Sequence, residues 1–390
     1  MRTLALTICA VAALGGAVSA GGASGAEPER TANGWLVFSS FDATEVESPA
    51  VLVRSAPDGS FRKTILRGGV EITSGVFSGA RWSPDGTKIA VTFTDGNRYT
   101  GYTSNVFLVN PDGTGMHRLL TGPPADRFSP SWSPDGTKVA YVEDREVHVV
   151  GADGSGDRRL TVGFDPAWSP DGSRIAFARS MAGDDTDLFL IGADGSGLTH
   201  VTRGPDWDRA PGWSPAGDLL AFQSGRSGRD SIYVVKPDGS GLRRLTRGYG
   251  VAPAWSPDGR KIAFGRNGDV WLMNPDGSAA RNVTRTRSAA KAETYPAWQR
   301  VRVVNGRITG TRFADYLAGG PESNTISGAA GNDLVAGGGG RDVLSGGPGS
   351  DTFLARDRAA DAIDGGPGRD TAYVDRRLDR VRGVERNVRG

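Results

Sequence analysis

Short apolar runs, separated by turn residues, recur along most of this chain. One group reads Arg174 to Ala178, then Leu188 to Ile191, then Leu198 to Thr202, with polar and glycine-rich breaks between. Runs this short, bounded by Pro, Asp and Gly, predict antiparallel strands rather than helices. Tryptophans set the phase of the pattern. The phrases RWSPDGTKIAV, SWSPDGTKVAY, AWSPDGSRIAF, GWSPAGDLLAF and AWSPDGRKIAF place Trp82, Trp132, Trp168, Trp213 and Trp255 alike, and a truncated PAWQR ends the series at Trp298. The spacings are 50, 36, 45, 42 and 43 residues. A period near that length, with four strand-like runs per unit, predicts a β-propeller.

In each unit strand A leads into the Trp and a Ser-Pro-Asp-Gly turn follows. Strands B and C come next, then a Pro/Ala-Asp-Gly turn and strand D. Pro presets φ, Asp bonds back to the backbone, and Gly takes the left-handed corner. The second turn occurs six times, at Asp58, Asp112, Asp153, Asp194, Asp238 and Asp276, but the complete A–B turn only five times. Trp298 has no B, C or D strand after it, and Trp35 to Ser39 reads as a B strand with no A strand before it. The two ends therefore join in one blade. This predicts an all-β fold, a six-bladed propeller over residues 33–303 closed by its N-terminal strands. The ordered motifs resemble the TolB-type, WD-like propeller repeat over about residues 33–300. Two copies depart from the pattern: Trp213 is followed by Ser-Pro-Ala-Gly, and the first copy lacks the Pro before its Trp.

The tight A–B and C–D turns fall on one face. The B–C and D–A loops, which vary in length, fall on the other, where binding residues are expected. Candidates there are Tyr99, Tyr102 and Arg226 from B–C loops, and Asp126, Arg127, Asp165, Trp207, Asp208, Arg209, Tyr249 and Tyr295 from D–A loops. Aromatics mixed with Arg and Asp suit a protein, peptide or glycan. The blander reading is solvated loops and hydrogen bonds between blades. Polar residues recur just before strand C, at Asn105, Glu146, Asp187, Ser231 and Asp269, and their regular placement reads as structural capping.

From Gly310 the period falls to nine: GTRFADYLA, GGPESNTIS, GAAGNDLVA, GGGGRDVLS and GGPGSDTFL, then a ten-residue ARDRAADAID, then GGPGRDTAY. The eighth position is apolar (Leu317, Ile326, Val335, Leu344, Phe353), with Ile363 equivalent in the longer unit. The sixth is Asp315, Asn324, Asp333, Asp342, Asp351 and Asp370, with Asp361 nearest in the longer unit. The pattern resembles the hemolysin-type (RTX) nonapeptide G-G-x-G-x-D-x-U-x over about residues 308–375. That resemblance implies a parallel β-roll, in which Asp333 pairs with Asp351 and Asn324 with Asp342. It implies Ca²⁺ held by these side chains and by turn carbonyls at glycines such as Gly337, Gly339, Gly346 and Gly349. Ca²⁺ takes six to eight oxygens at about 2.3–2.6 Å, and Gly permits the φ > 0 turns that aim carbonyls inward. Neutral Asn324 is expected to weaken its site, and the extra residue between Leu354 and Gly365 to break the stack. Without the ion, crowded carboxylates over a thin core predict disorder. The Arg-rich tail, residues 376–390, is expected to cap the roll.

Composition changes this picture little. The formal charge of +2 gives no footprint for nucleic acid or an anionic membrane. Arg2, the apolar run Leu4 to Leu14 and the small residues after it predict a secretory signal over residues 1–26, cleaved after Ala20 or Ala26. The run is too short to span a membrane. The single Cys9 lies within it, which leaves a mature chain without disulfides. No G-x-S-x-G elbow is present, His117, His148 and His200 fall on strands of different blades, and the adjacent Asp184 and Asp185 are thin evidence for sugar cleavage. The sequence therefore predicts a secreted, extracellular, monomeric, non-catalytic protein that binds calcium and presents a binding face. The alternative is a secreted hydrolase or lyase acting on a glycan or peptide at that face.

Overall fold

The computed structural model describes residues 30–42, 51–67, 76–97, 101–122, 125–181, 185–286, 291–304, 306–375 and 377–389. The expected leader, Tyr99 and Asp184 lie outside them, as does the side chain of Tyr102. The described residues form strands and turns, with no helix among them.

Five four-stranded antiparallel sheets follow one another, led by the strands Val76–Trp82, Arg127–Trp132, Phe164–Trp168, Asp208–Trp213 and Val251–Trp255. The sixth blade is made from both ends. Its strand A is Lys291–Val304 and its strand B is Arg30–Asp42, paired antiparallel with Leu36 opposite Trp298. Val51–Ser55 and Lys63–Arg67 complete it. The ring thus closes in sheet hydrogen bonds, and the N-terminal strand has no bare edge.

Recurrent side chains explain why the sequence repeats. In the A–B turn Ser83 Oγ donates to Asp85 Oδ1 at 2.6 Å and accepts the Lys88 N–H at 2.9 Å. Ser133, Ser169 and Ser256 repeat both bonds. The deviant fourth turn keeps the pattern by another route: Ser214 Oγ donates to Asp218 Oδ1 at 2.7 Å, so a later Asp replaces the one that Ala216 lacks. The Trp rings lie between blades. The indole N–H of Trp132, Trp213 and Trp298 reaches the carbonyl of Arg81, Ala167 and Ala254, the residue before the Trp of the previous blade, at 3.1–3.2 Å.

Each strand A also carries a bulge three residues before its Trp. Gly79, Ser129, Asp165, Ala210, Ala252 and Tyr295 all have φ between 49° and 59°. Five of the six are not glycine, and each costs about 1–2 kcal/mol in this conformation. A bulge twists the strand and re-aims a side chain; here the six positions ring the central channel.

Lys291–Val304 runs past the blade and turns back into Arg307–Thr309, which opens the second domain. From there the pairing is parallel. One face of the solenoid stacks Arg307–Thr309, Thr325–Ser327, Val343–Ser345, Ala362–Asp364 and Arg380–Arg382, so that a single nine-stranded sheet runs from the sixth blade to the end of the roll. The other face stacks Tyr316–Ala318, Leu334–Ala336, Thr352–Ala355, Thr371–Val374 and Arg386–Arg389. Leu317, Ile326, Val335, Leu344, Phe353 and Ile363 fill the space between, none more than 2% exposed.

The expectation that the extra residue breaks the stack is corrected. Val343 pairs with Ala362 and Leu344 with Ile363, so the sheet continues with a coil of 19 residues in place of 18. The surplus is taken up in the loop, where Arg358 adopts φ 70°. In the tail, where a cap was expected, the strands Arg380–Arg382 and Arg386–Arg389 add a further turn to both faces.

The two domains are packed together. Trp35 Nε1 and Arg54 Nη1 both donate to the Ala314 carbonyl, at 3.0 and 2.7 Å. Gln299 Nε2 donates to Asp315 Oδ1 at 2.7 Å. Leu334, Tyr316 and Leu354 of the roll join the apolar cluster of the first and sixth blades.

Candidate functional site

In the roll, the sixth-position side chains form two ladders. On one, Asp315 N–H donates to Asp333 Oδ1, Asp333 N–H to Asp351 Oδ1, and Asp351 N–H to Asp370 Oδ1, each at 2.8 Å. On the other, Asn324, Asp342 and Asp361 donate in turn to Asp342, Asp361 and Asp379 at 2.7–3.0 Å. Glu385 ends the first ladder by accepting the Asp370 N–H. Each carboxylate thus spends one oxygen on the backbone of the preceding turn. The second oxygen of Asp333, Asp342, Asp351, Asp361 and Asp370 is buried without a hydrogen-bond partner. An orphaned carboxylate oxygen is costly unless a cation or a proton meets it. Burial is the main cause that pushes the Asp333 carboxyl up to about 9, and Asp351 and Asp361 to about 6; neighbouring carboxylates add to it. Asp342 and Asp370 are raised for the same first reason. A row of hard oxygen donors in need of positive charge fits calcium.

Two expected ligands are placed otherwise. Asp315 has both oxygens filled, Oδ1 by Gln299 and Oδ2 by Thr311 N–H and Oγ1, and serves as the joint to the propeller. Asn324 turns its Nδ2 toward Asp342 Oδ1 at 3.3 Å, the oxygen that already accepts the Asn324 N–H, and its neutral amide brings no charge to the ladder. The glycines also divide differently. In the two units that hold these glycines, the left-handed positions are Gly338, Gly340, Gly347 and Gly349. Gly337 and Gly346 are needed for space, because a Cβ there would lie 2.3 and 2.1 Å from the free oxygens of Asp342 and Asp351. A Cβ on Gly339 meets only ordinary contacts near Pro321. Asp379 keeps the 18-residue spacing from Asp361 and was missed because no Gly-Gly pair precedes it; Glu385 follows Asp370 by only 15 residues, in a shortened half of the coil.

On the propeller, the channel mouth at the D–A end is a cavity of about 570 Å³ lined by all six A strands. Asp165, Arg209, Tyr249 and Tyr295 face it, together with Arg81. Asp165 accepts from Ser129 Oγ at 3.1 Å and from Ala210 N–H at 3.2 Å, and burial raises its carboxyl. Burial likewise lowers the Arg81 guanidinium, against the opposing charge of Asp165. The signal for Arg81 was in the sequence: the place before the Trp holds Ser, Ala or Gly in the other units and Arg only here. Arg209 lies over the Trp207 ring, 4.1 Å from its centroid. Other candidates are committed to structure. Arg127 makes a two-pronged ion pair with Glu143, both bonds 3.1 Å. Arg226 pairs at 2.5 Å with Asp208, which is fully buried. Exposed Asp126 accepts the Ser104 N–H at 3.2 Å.

The polar residues before strand C tie it to strand D: Asp187 Oδ2 meets His200 Nε2 at 2.8 Å, and Asp269 accepts from Asn282 and Thr284. Glu143, His148 and Asp157 also converge. Glu143 is already engaged by Arg127, and Asp157 by the Tyr141 hydroxyl, which donates to it at 2.8 Å.

The opposite end of the channel faces the roll. Cavities there are walled by A–B turn residues such as Pro84, Pro134, Pro215 and Pro257 on one side and by Thr311, Asp315, Gly319 and Glu322 on the other.

Comparison with known proteins agrees with these two parts. Residues 159–301 match the family described as TolB beta propeller domain. Residues 305–335 and 318–353 match the RTX calcium-binding nonapeptide repeat. The chain therefore carries a TolB-type propeller followed by RTX repeats. It is 50% identical over 58 residues to the Tol-Pal system protein TolB of Gluconobacter oxydans, 15% of this chain and 13% of that one. It is 44% identical over 64 residues to an uncharacterized peptidase of Bacillus subtilis, 16% of this chain and 10% of that one. The chain thus spans about an eighth or less of the length of these relatives. TolB from Acinetobacter baumannii superposes with a TM-score of 0.57 at 19% identity, over 68% of this chain and 66% of that one. A chain of a nidogen/laminin complex gives 0.55 at 10% identity, over 68% and 98%. At these identities the likeness is one of fold.

Proposed function

We propose that this is an exported, non-catalytic binding protein whose roll is loaded with calcium and whose propeller engages a peptide or glycan at the open channel mouth. The observation that carries the reading is the row of buried carboxylate oxygens at Asp333, Asp351 and Asp370, each without a partner. When bound, Ca²⁺ supplies the positive charge that these oxygens lack. The chain supplies rigidity, since each carboxylate is already fixed by a backbone N–H.

The roll stands over the tight-turn face, which leaves the other end of the channel for a ligand. Arg81 and Asp165 put opposite charges close together there, and Arg209, Tyr249 and Tyr295 add flat surface and donors. Such a mouth suits the polar backbone of a peptide or the hydroxyls of a sugar. RTX repeats and likeness to TolB support an extracellular or periplasmic location, in keeping with the leader expected at residues 1–26.

Two measurements test this. Calcium titrated into EDTA-treated full chain should bind saturably and raise strand signal and melting temperature; no saturable binding at millimolar calcium removes the roll reading. Screened against peptides and glycans, Arg209→Ala should weaken any ligand about tenfold at nearly unchanged melting temperature. A ligand that binds this variant as tightly as the parent does not use this mouth.

A further inference from the structure

The ten-residue unit that follows Leu354 does more than tolerate one residue too many. Its third residue, Asp357, occupies a place the nonapeptide leaves unspecified. In the fold it meets Asp342 and Asp361, and ligand oxygens of the three lie within 4.8 Å of one another. The Oδ2 atoms of all three are buried and unpartnered. Asp342 and Asp361 are 0% and 2% exposed.

Their other oxygens hold backbone: Asp342 Oδ1 takes the Asn324 N–H, Asp361 Oδ1 the Asp342 N–H at 2.9 Å, and Asp357 Oδ1 the Ala359 N–H at 2.8 Å. The loop carrying Asp357 is itself pinned, with the N–H groups of Asp357 and Arg358 donating to Asp375 Oδ2 at 3.0 and 2.5 Å. Of the arginines nearest in sequence, Arg341 turns to the Ala360 carbonyl and Arg356 to that of Val388, and the side chain of Arg358 is exposed. Three carboxylates therefore aim an oxygen at one point, and among the described residues no side-chain cation bonds to those oxygens. On the opposite ladder a site between consecutive turns has two.

We propose that the ten-residue unit builds a three-carboxylate divalent-cation site from Asp342, Asp357 and Asp361, which binds calcium more tightly than the two-carboxylate sites and fills first. Donor charge sets calcium affinity in oxygen sites, and all three donors here are hard oxygens. The inference rests on the calcium reading of the roll and adds an order of loading to it.

The test is calcium binding to EDTA-treated full chain by calorimetry and native mass spectrometry, with terbium luminescence as a second probe. The parent should show one ion bound at least tenfold tighter than the rest. Asp357→Asn keeps the acceptor for Ala359 and should lose that first step while later ions bind as before. Asp351→Asn should spare the first step and remove later ones. Asp357→Ser, which also keeps an oxygen for the turn, serves if the Asn variant does not fold. Unchanged loading of the Asp357 variants overturns this inference and leaves the calcium roll standing. A parent chain that binds no calcium overturns the reading beneath it.

Discussion

At Gly113 two separate demands meet. Its φ is 91°, and a Cβ built on it would lie 2.0 Å from the Ile65 carbonyl oxygen of the neighbouring blade. Gly156 shares the left-handed backbone, at φ 65°, but a Cβ there meets open space. Gly156→Ala should therefore cost about 1 kcal/mol, the conformational penalty alone, and Gly113→Ala well above about 2 kcal/mol because the blades must also part. Denaturant unfolding of both variants decides it; equal losses would mean that the close approach does not matter. The sequence marked Gly113 as the glycine of the Asp112 turn and said nothing of Gly156; the cost at Gly113 was not legible, because it comes from a neighbour in another repeat. Asp208 and Arg226 show the same limit. They read as ligand-face residues, and only the fold brings them together as an ion pair around a fully buried Asp208. Arg81 is the reverse case, legible as the one large residue in a small-residue column.

Among the elements, the A–B turn of the fourth blade repairs its own departure through Ser214 and Asp218. Asp218→Ala should destabilise by about 1 kcal/mol, and adding Ala216→Asp should restore most of it by returning the spelling of the other turns. A double variant no better than the single one would show that the two positions are not interchangeable. The roll's strands were legible because an apolar residue returned every ninth place with a carboxylate two before it. Its loops were not, since a count of ten cannot say whether the surplus residue breaks a sheet or bulges from it.

The roll carboxylates also give this element a pH signature. Their folded pKa values, about 6 for Asp351 and Asp361 and about 9 for Asp333, lie above the ordinary 3.8. The protonated form is thus favoured in the fold. In EDTA this contribution is full below about pH 4 and is lost as pH rises through 6 and on toward 9. The metal-free roll should exchange its amide hydrogens with clearly less protection at pH 8 than at pH 5, after correction for intrinsic rates, and calcium should abolish the difference. Equal protection in EDTA would contradict the burial of these groups.

On the scale of the whole molecule, the propeller and the roll share a sheet and an apolar cluster. Ring closure was readable from the mismatch between five A–B turns and six C–D turns; the docking of the roll was not, because no repeat spells out Trp35 and Ala314 as partners. A chain ending at Val304 leaves the Trp35 indole and the Arg54 guanidinium without their acceptor. Its propeller should melt several degrees lower than in the full chain, and an unchanged melting temperature would show that the roll is mere ballast. The closing pair has a consequence for biogenesis. Trp35 bonds to Gln299, 264 positions downstream, so the propeller's first strand must wait, unzipped, for its last. Until Lys291–Val304 has left the ribosome or crossed a translocation pore, no ring can shut, and the nascent chain stays pliable enough to be threaded.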